Sequence, residues 1–248
     1  MALYVNNILI TPTIFPDKTS QVWKLPEELF NPYKYPVIRW TFEYEGEFVQ
    51  LAQIKDLLNS QQIDPYLEID YLPYARQDKD VSNNSTFALH TFAKLLNSLN
   101  FPEIFIVDPH SETALKLINN AIAYFPNFQK YANNETILCF PDNGAVTKYT
   151  DNCFIQREYI YGNKVRDQLT GNITSYEVIG DCKDKNVLIV DDICDGGGTF
   201  ILLTKQLLEK GAKEVNLFVS HGLFTKGLQV LKDSGINKIY TRDGEVAC

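Results

Sequence analysis

The chain lacks the signatures of several protein classes. Its five cysteines, Cys139, Cys153, Cys182, Cys194 and Cys248, are widely spaced, and no two form a Cys-x-x-Cys pair. That pattern supports neither a zinc site nor a disulfide framework, and a reducing, cytoplasmic setting is expected. No apolar run is long enough to span a bilayer. The N-terminal stretch lacks the basic region and sustained apolar run of a secretory leader. The net charge is −8, which argues against a surface that coats nucleic acid and leaves room for a local basic pocket. No Gly-x-x-x-x-Gly-Lys-Ser/Thr occurs, so a Walker-type loop is excluded as a nucleotide site. Short-period repeats and low-complexity tracts are also missing. What is present is an ordinary globular balance, 45% hydrophobic and 22% charged, on a length that suits one large or two modest α/β domains.

One stretch organises the rest: Val187-Leu-Ile-Val-Asp-Asp-Ile-Cys-Asp-Gly-Gly-Gly-Thr199. Four apolar residues read as a buried parallel strand. Asp191 and Asp192 end it. Asp195, Gly196, Gly197, Gly198 and Thr199 follow, and Phe200 to Leu208 has helical spacing that stops at Lys210-Gly211. Ligands of open α/β sheets bind beyond the carboxyl ends of the strands. Glycines there let the backbone approach closely and aim N–H groups at a ligand. The following helix adds its positive end. That geometry suits a phosphate, and the neighbouring carboxylates suit two hydroxyls, Mg²⁺, or both. A phosphate beside a diol describes a ribose phosphate. The plainer alternative is a strand ending in polar residues before an ordinary turn.

Earlier in the chain, Leu3 to Ile10 and Val22 to Leu25 are expected as strands and Glu27 to Tyr35 as loop. Val37 to Tyr44 reads as strand. Phe48 to Asn59 reads as a helix burying Leu51, Ile54, Leu57 and Leu58. Tyr66 to Leu72 is a strand that runs into Pro73-Tyr74-Ala75-Arg76-Gln77-Asp78-Lys79. Cationic donors and an amide just past a strand end suit phosphates and a base or ribose; a solvated charged loop is the alternative. Ser85 to Leu99 has an apolar helical face of Phe87, Leu89, Phe92, Leu95, Leu96 and Leu99. Glu103 to Val107 is a strand ending in Asp108-Pro109-His110, at the same expected sheet edge as Arg76.

The second half begins with a strand, Thr136 to Phe140, ending in Pro141-Asp142-Asn143-Gly144. Asp142 suits a helix N-cap before Ala145 to Lys148. Glu158 to Gly171 reads as a mobile loop or hairpin in which Lys164 and Arg166 alternate onto one face. Ile173 to Ile179, Glu214 to Ser220 and Ile236 to Thr241 are further strands. His221 follows the second of these.

Several of these segments resemble the ribose-phosphate pyrophosphokinase family. Asp191 to Thr199 is similar to its phosphoribosyl-diphosphate loop, shared with type I phosphoribosyltransferases. Gly196-Gly197-Gly198-Thr199 stands where Thr-Ala-Gly-Thr is usual, so a hydroxyl that would touch the 5-phosphate is missing. Pro73 to Lys79 resembles the family's ATP signature, which plain phosphoribosyltransferases lack. Asp108-Pro109-His110 stands for Asp-Leu-His, Pro141-Asp142-Asn143-Gly144 for Pro-Asp-x-Gly, and His221-Gly222 for Thr-His-Gly. Lys164-x-Arg166 matches a catalytic-loop pair by spacing and position. Phe15-Pro16-Asp17-Lys18-Thr19 resembles Phe-Ser/Pro-Asp-Gly-Glu, which typically reaches an ATP site from a neighbouring subunit.

The resemblance implies an α/β fold of two phosphoribosyltransferase-like domains, each a mainly parallel sheet flanked by helices. Residues 1–130 would be the ATP-binding half and 131–248 the ribose-phosphate half. It implies catalysis by Lys164 and Arg166, and ATP binding by Phe15, Asp17, Arg76, Gln77, Asp78, Lys79 and His110. Asp191, Asp192, Asp195, Gly196, Gly197, Gly198 and Thr199 would bind the ribose phosphate. Mg²⁺ would be held, directly or through water, by His110, Asp142, Asp191 and Asp192. The expected reaction moves the β,γ-diphosphate of ATP to the anomeric hydroxyl of ribose 5-phosphate or, as in phage-type relatives that rebuild NAD, of ADP-ribose. Partners are small molecules, with no nucleic acid or membrane, in a homodimer or larger homo-oligomer. The competing readings are a simple phosphoribosyltransferase and a catalytically silent regulatory homologue; intact Arg76 to Lys79 and Asp191-Asp192 disfavour both.

Overall fold

The computed structural model describes residues 3–30, 35–80, 82, 84–166 and 173–247. The chain divides into two compact units, Met1–Tyr124 and Phe125–Cys248, and each is built on one large sheet. Among the described residues no helix is long and apolar enough to cross a membrane. Cys139, Cys153, Cys182 and Cys194 are free thiols; Cys248 lies outside the described residues.

The first unit opens with a hairpin of β1 (Leu3–Val5) and β2 (Ile8–Leu9). The single strand expected over Leu3 to Ile10 is therefore broken. Asn6 and Asn7 take φ of 49° and 68°, because asparagine tolerates the left-handed backbone that a two-residue hairpin turn demands. A separate small hairpin, β3 (Thr13–Ile14) and β4 (Ser20–Gln21), carries Phe15 to Thr19 in its connection. Val22 and Leu25, expected as strand, are buried in irregular chain. Then follow β5 (Val37–Thr41), α1 (Glu47–Asn59), β6 (Tyr66–Tyr71), α2 (Ala88–Asn97), β7 (Ile104–Val107), α3 (Glu112–Leu117) and β8 (Ala121–Tyr124). The sheet order is β2-β1-β5-β6-β7-β8, with β5 to β8 parallel and in chain order. Right-handed crossovers between successive neighbours place their helices on one face. Accordingly Leu51, Ile54 and Leu58 of α1 and Leu89, Phe92 and Leu96 of α2 share one core with Ile38, Trp40, Leu67, Ile69 and Ile104. Leu95, assigned to the buried face of α2, is exposed; it lies about 100° around the helix from Leu96.

The second unit contains β9 (Thr136–Phe140), α4 (Asn143–Asn152), β10 (Tyr159–Arg166), β11 (Ile173–Ile179), β12 (Asn186–Cys194), α5 (Gly198–Glu209), β13 (Glu214–Gly222), α6 (Gln229–Asp233), β14 (Ile236–Thr241) and β15 (Gly244–Glu245). The order is β11-β10-β9-β12-β13-β14-β15, and β10, β9, β12, β13 and β14 are parallel. Here both faces of the sheet are covered. Leu138, Phe140, Leu188 and Val190 pack with Ala145 and Tyr149 of α4. Ile137, Cys139, Val187 and Ile189 pack with Phe200, Leu203 and Leu207 of α5. The chain leaves β9 toward β10 on one side and returns to β12 on the other, so the strand order reverses between β9 and β12. Such a reversal opens a crevice beyond the carboxyl ends of the two strands.

Candidate active site

The crevice position is filled by the residues the sequence singled out. Beyond β9 stands Asp142, which caps α4 by accepting from the Ala145 N–H at 3.0 Å. Beyond β12 stands the acidic and glycine-rich stretch. The strand was expected to end at the acidic pair, and it runs on to Cys194. Its ladder with β13 continues through Asp191↔Val219, Ile193↔His221 and Cys194↔Gly222. His221, now a strand residue, is buried. Because Asp191 and Asp192 are strand residues, they project to opposite faces. Asp192, on the Leu188 and Val190 side, is buried and meets the Lys148 ammonium at 3.6 Å. Asp191, on the other side, accepts from the Asp192 backbone N–H at 2.9 Å. Burial, and then the Asp192 charge beside it, hold the Asp191 carboxyl well above the ordinary 3.8. Lys148 was not singled out in the sequence. It sits within α4 with nothing local to mark it, and the packing of α4 on the sheet brings it to Asp192.

The loop itself departs from expectation. Gly197 caps α5 with φ of 77°, a left-handed conformation, and a Cβ there would lie 2.7 Å from Leu231 Cδ2. A Cβ on Gly196 would meet Cδ and Cε of Lys226 at 3.3 Å. The three glycines therefore differ in what surrounds them. Gly197 serves backbone geometry, Gly196 is flanked by a lysine stem, and only Gly198 of the three faces open space. Asp195 is also engaged: its Oδ1 accepts from the Thr225 hydroxyl at 2.6 Å. Thr199 lies in the first turn of α5, whose N-terminal end faces this loop.

The segment carrying Lys164 and Arg166 is a hairpin arm. Both lie in β10, opposite Tyr176 and Ile173 of β11, with a register shift between Val165 and Arg166. Their side chains, and residues 167–171 of the expected loop, lie outside the described residues. The hairpin is tied down at its base by a pair the sequence did not reveal. Tyr176 donates its hydroxyl to the Pro141 carbonyl at 2.6 Å, and its ring lies where a Cβ on Gly162 would be, 2.3 Å away. Burial, then the charges of Asp142 and Asp191, push the Tyr176 phenol well above its ordinary value. The phenol thus sits among the acids of the crevice.

In the first unit, Arg76, Gln77 and Lys79 are exposed and Asp78 is half-buried, in the turn after β6. The turn is set by Tyr74, with φ of 63°, and by the Gln77 N–H donating to the Tyr74 carbonyl at 2.9 Å. His110, half-buried, follows β7, the hydrogen-bonded neighbour of β6. The two segments therefore occupy adjacent strand ends on one edge. Phe15 and Asp17 belong to the separate β3–β4 hairpin. Phe15 lines a groove of about 520 Å³ with Thr19, Gln53 and Leu57. Asp17 accepts from both the hydroxyl and the N–H of Thr19, which lowers its pKa. Thr19 thus makes the turn self-contained.

Among the described residues no three of His, Cys, Asp and Glu converge as a metal site. Asp191 stands beside the Asp192 charge, which with burial raises its carboxyl, and Asp192 meets Lys148. Magnesium commonly takes one or two carboxylates and completes its shell with water and substrate phosphates. A carboxylate presented singly, as Asp191 or Asp192 is, fits that ion better than one that demands an all-protein cage.

Comparison with known proteins agrees with this geometry. Residues 110–241 match the phosphoribosyl transferase domain. A ribose-phosphate pyrophosphokinase of Sulfurisphaera tokodaii is 27% identical over 242 residues, 92% of this chain and 81% of that protein. That of Pyrococcus abyssi is 30% identical over 178 residues, covering 69% of this chain and 62% of the relative. The crystal structure of phosphoribosylpyrophosphate synthetase from Mycobacterium smegmatis superposes with a TM-score of 0.66 at 22% identity, over 83% of this chain and 71% of that one; it shares the fold. The chain therefore belongs to the phosphoribosyl transferase domain family, in its ribose-phosphate pyrophosphokinase branch.

Proposed function

We propose that the protein transfers the β,γ-diphosphate of ATP to the anomeric hydroxyl of a 5-phosphorylated ribose and releases AMP. The observation that carries this reading is the coexistence of two constellations. The second unit presents acids and a phosphate loop at a strand reversal. The first unit presents Arg76 to Lys79 and His110 on neighbouring strand ends. A phosphoribosyltransferase needs only the former, and a silent homologue needs neither.

The sugar hydroxyl oxygen attacks the β-phosphorus, the bond from that phosphorus to the α–β bridging oxygen breaks, and AMP departs with the oxygen while the hydroxyl proton is lost. Such a transfer needs alignment and charge neutralisation more than covalent help. The backbone of Gly196 to Thr199 takes the 5-phosphate. Asp191 and Asp192 take the sugar diol and would help to hold the cation, with Lys148 orienting Asp192. Arg76, Gln77, Asp78 and Lys79 take the nucleotide, with Phe15 stacking on adenine. Lys164 and Arg166 stabilise charge on the transferring group. His110, Asp142, Asp191 and Asp192 are the residues that would hold Mg²⁺, which when bound neutralises phosphate charge.

The acceptor is ribose 5-phosphate or ADP-ribose. Gly198 faces open space, and that side of the loop suits a phosphate carrying a further group. The test incubates the protein with ATP, Mg²⁺ and each acceptor and follows AMP by chromatography. AMP formed in step with consumption of one acceptor is expected. No AMP with either acceptor would contradict the reading.

A further inference from the structure

We propose that Lys226 is an anion-binding residue of the ribose-phosphate site, and that its ammonium supplies to the sugar's 5-phosphate the contact that Gly196 cannot. The proposal rests on the ribose-phosphate reading of Gly196 to Thr199.

Lys226 lies in the turn after β13, and that turn is clipped to the phosphate loop. The N–H groups of Leu223 and Phe224 donate to the Cys194 carbonyl at 2.8 and 3.1 Å, and that of Thr225 donates to the Asp195 carbonyl at 3.2 Å. The Thr225 hydroxyl adds its 2.6 Å bond to Asp195 Oδ1. Phe224, with φ of 46°, and Gly227, with φ of 77°, reverse the chain on either side. The backbone of Lys226 is thereby fixed relative to Gly196. Its side chain is placed as well: Cδ and Cε lie 3.3 Å, and Cγ 3.6 Å, from the position of a Cβ on Gly196. The stem therefore runs alongside Gly196, and the ammonium is one bond beyond Cε. Lys226 is exposed, and among the described residues no hydrogen bond or ion pair of its ammonium is found. The stem is seated and the charge is unspent.

That combination is what an anion contact requires. Ordering a free lysine costs side-chain entropy, and here the stem already lies alongside Gly196. An ammonium is a compact charge with three donors, which grips phosphate without demanding one bidentate geometry. The missing side chain at 196 is part of the same arrangement. A threonine there would press on the Lys226 stem, so a hydroxyl at 196 and this lysine compete for one space. The chain carries the cation in place of the hydroxyl.

The experiment is calorimetric titration of ribose 5-phosphate, without ATP, into wild type, Lys226→Ala, Lys226→Arg and the Gly196→Thr/Lys226→Ala double variant. Lys226→Ala is expected to bind about ten-fold more weakly, with a flatter dependence of Kd on salt. Lys226→Arg keeps most of the affinity. The double variant recovers part of it, because the space is free and a hydroxyl fills it; a merely structural lysine would not give that rescue. A parallel titration with ADP-ribose locates the contact. An equal loss places it on the phosphate common to both ligands, as proposed. A loss confined to ADP-ribose moves it to the outer phosphate and overturns the assignment. Unchanged affinity and salt dependence in a folded Lys226→Ala also overturn it. A wild type that binds neither ligand removes the ribose-phosphate reading itself, an outcome distinct from wild-type binding that Lys226 does not influence.

Discussion

In the second unit helices cover both faces of the sheet and the strand order reverses between β9 and β12; in the first, β5 to β8 run in chain order and the helices pack into one core on one face. The difference decides how each unit presents its chemistry. A reversal makes a crevice, and the second unit sets its acids there on a strand buried from both sides. Asp192 is 6% exposed. The first unit has no such reversal among its parallel strands, and its candidate residues sit on turns, with Arg76, Gln77 and Lys79 exposed. On the proposed reading, the sugar site is preorganised by the core and the nucleotide site is assembled from adaptable side chains.

If that contrast is right, residues acting on the transferring group should show the largest effects on turnover. Lys164→Ala is expected to lower kcat by roughly 100-fold or more, equivalent to about 3 kcal/mol, because a charge needed mainly in the transition state is removed. ATP binding should stay nearly intact. Steady-state kinetics with a parallel ATP titration check this, and a kcat within a few-fold of wild type would dismiss the assignment.

Asp191→Asn sharpens the contrast from the rigid side. Loss of a charged partner for the diol should reduce kcat/KM roughly ten- to hundred-fold. The same change should stabilise the fold at neutral pH. A carboxyl raised in the folded state binds its proton more tightly there than in the unfolded chain. Stability therefore falls as pH rises from the ordinary 3.8 through the raised folded value,. Asparagine removes that penalty, so the Tm gap between variant and wild type should be open at pH 7 and close toward pH 4. A gap that is absent at pH 7 would mean that Asp191 is not held in a penalised charge state.

Within the loop, Gly197→Ala and Gly198→Ala should part company. The first forces a side chain into the left-handed region and against Leu231, at a cost of about 1–2 kcal/mol before the clash,. The second adds a methyl to open space inside a helix and should hold or raise Tm by a small amount,. Thermal unfolding of the pair tests this, and equal shifts would show that the conformations, not the residues, differ from this account.

The elements legible in the sequence were those with strong local patterns. β6, β7, β9 and α1 have apolar runs or helical spacing, and the run of β12 into acids and glycines marked the candidate phosphate loop. The Leu3 to Ile10 hairpin was illegible as a pair of strands because alternation looks the same whether or not Asn6 and Asn7 turn left-handed. The extent of β12 was missed because a ladder to β13 decides it, and pairing is not local. Lys148, Tyr176, Gly162 and Lys226 gave no signal for the same reason. Each reaches the site through packing between elements far apart in the chain. Gly197 and Gly196 look alike in sequence, and only backbone geometry separates a glycine needed for its φ from one flanked by a lysine.

The division of labour between the units is tested most directly by crossed calorimetric titration of ATP and ribose 5-phosphate into Arg76→Ala and Asp191→Asn. The account predicts that Arg76→Ala weakens ATP about ten-fold and leaves ribose 5-phosphate within two-fold. Asp191→Asn should weaken ribose 5-phosphate and leave ATP within two-fold. Unchanged ATP affinity in Arg76→Ala, or equal losses of both ligands in either variant, would contradict it.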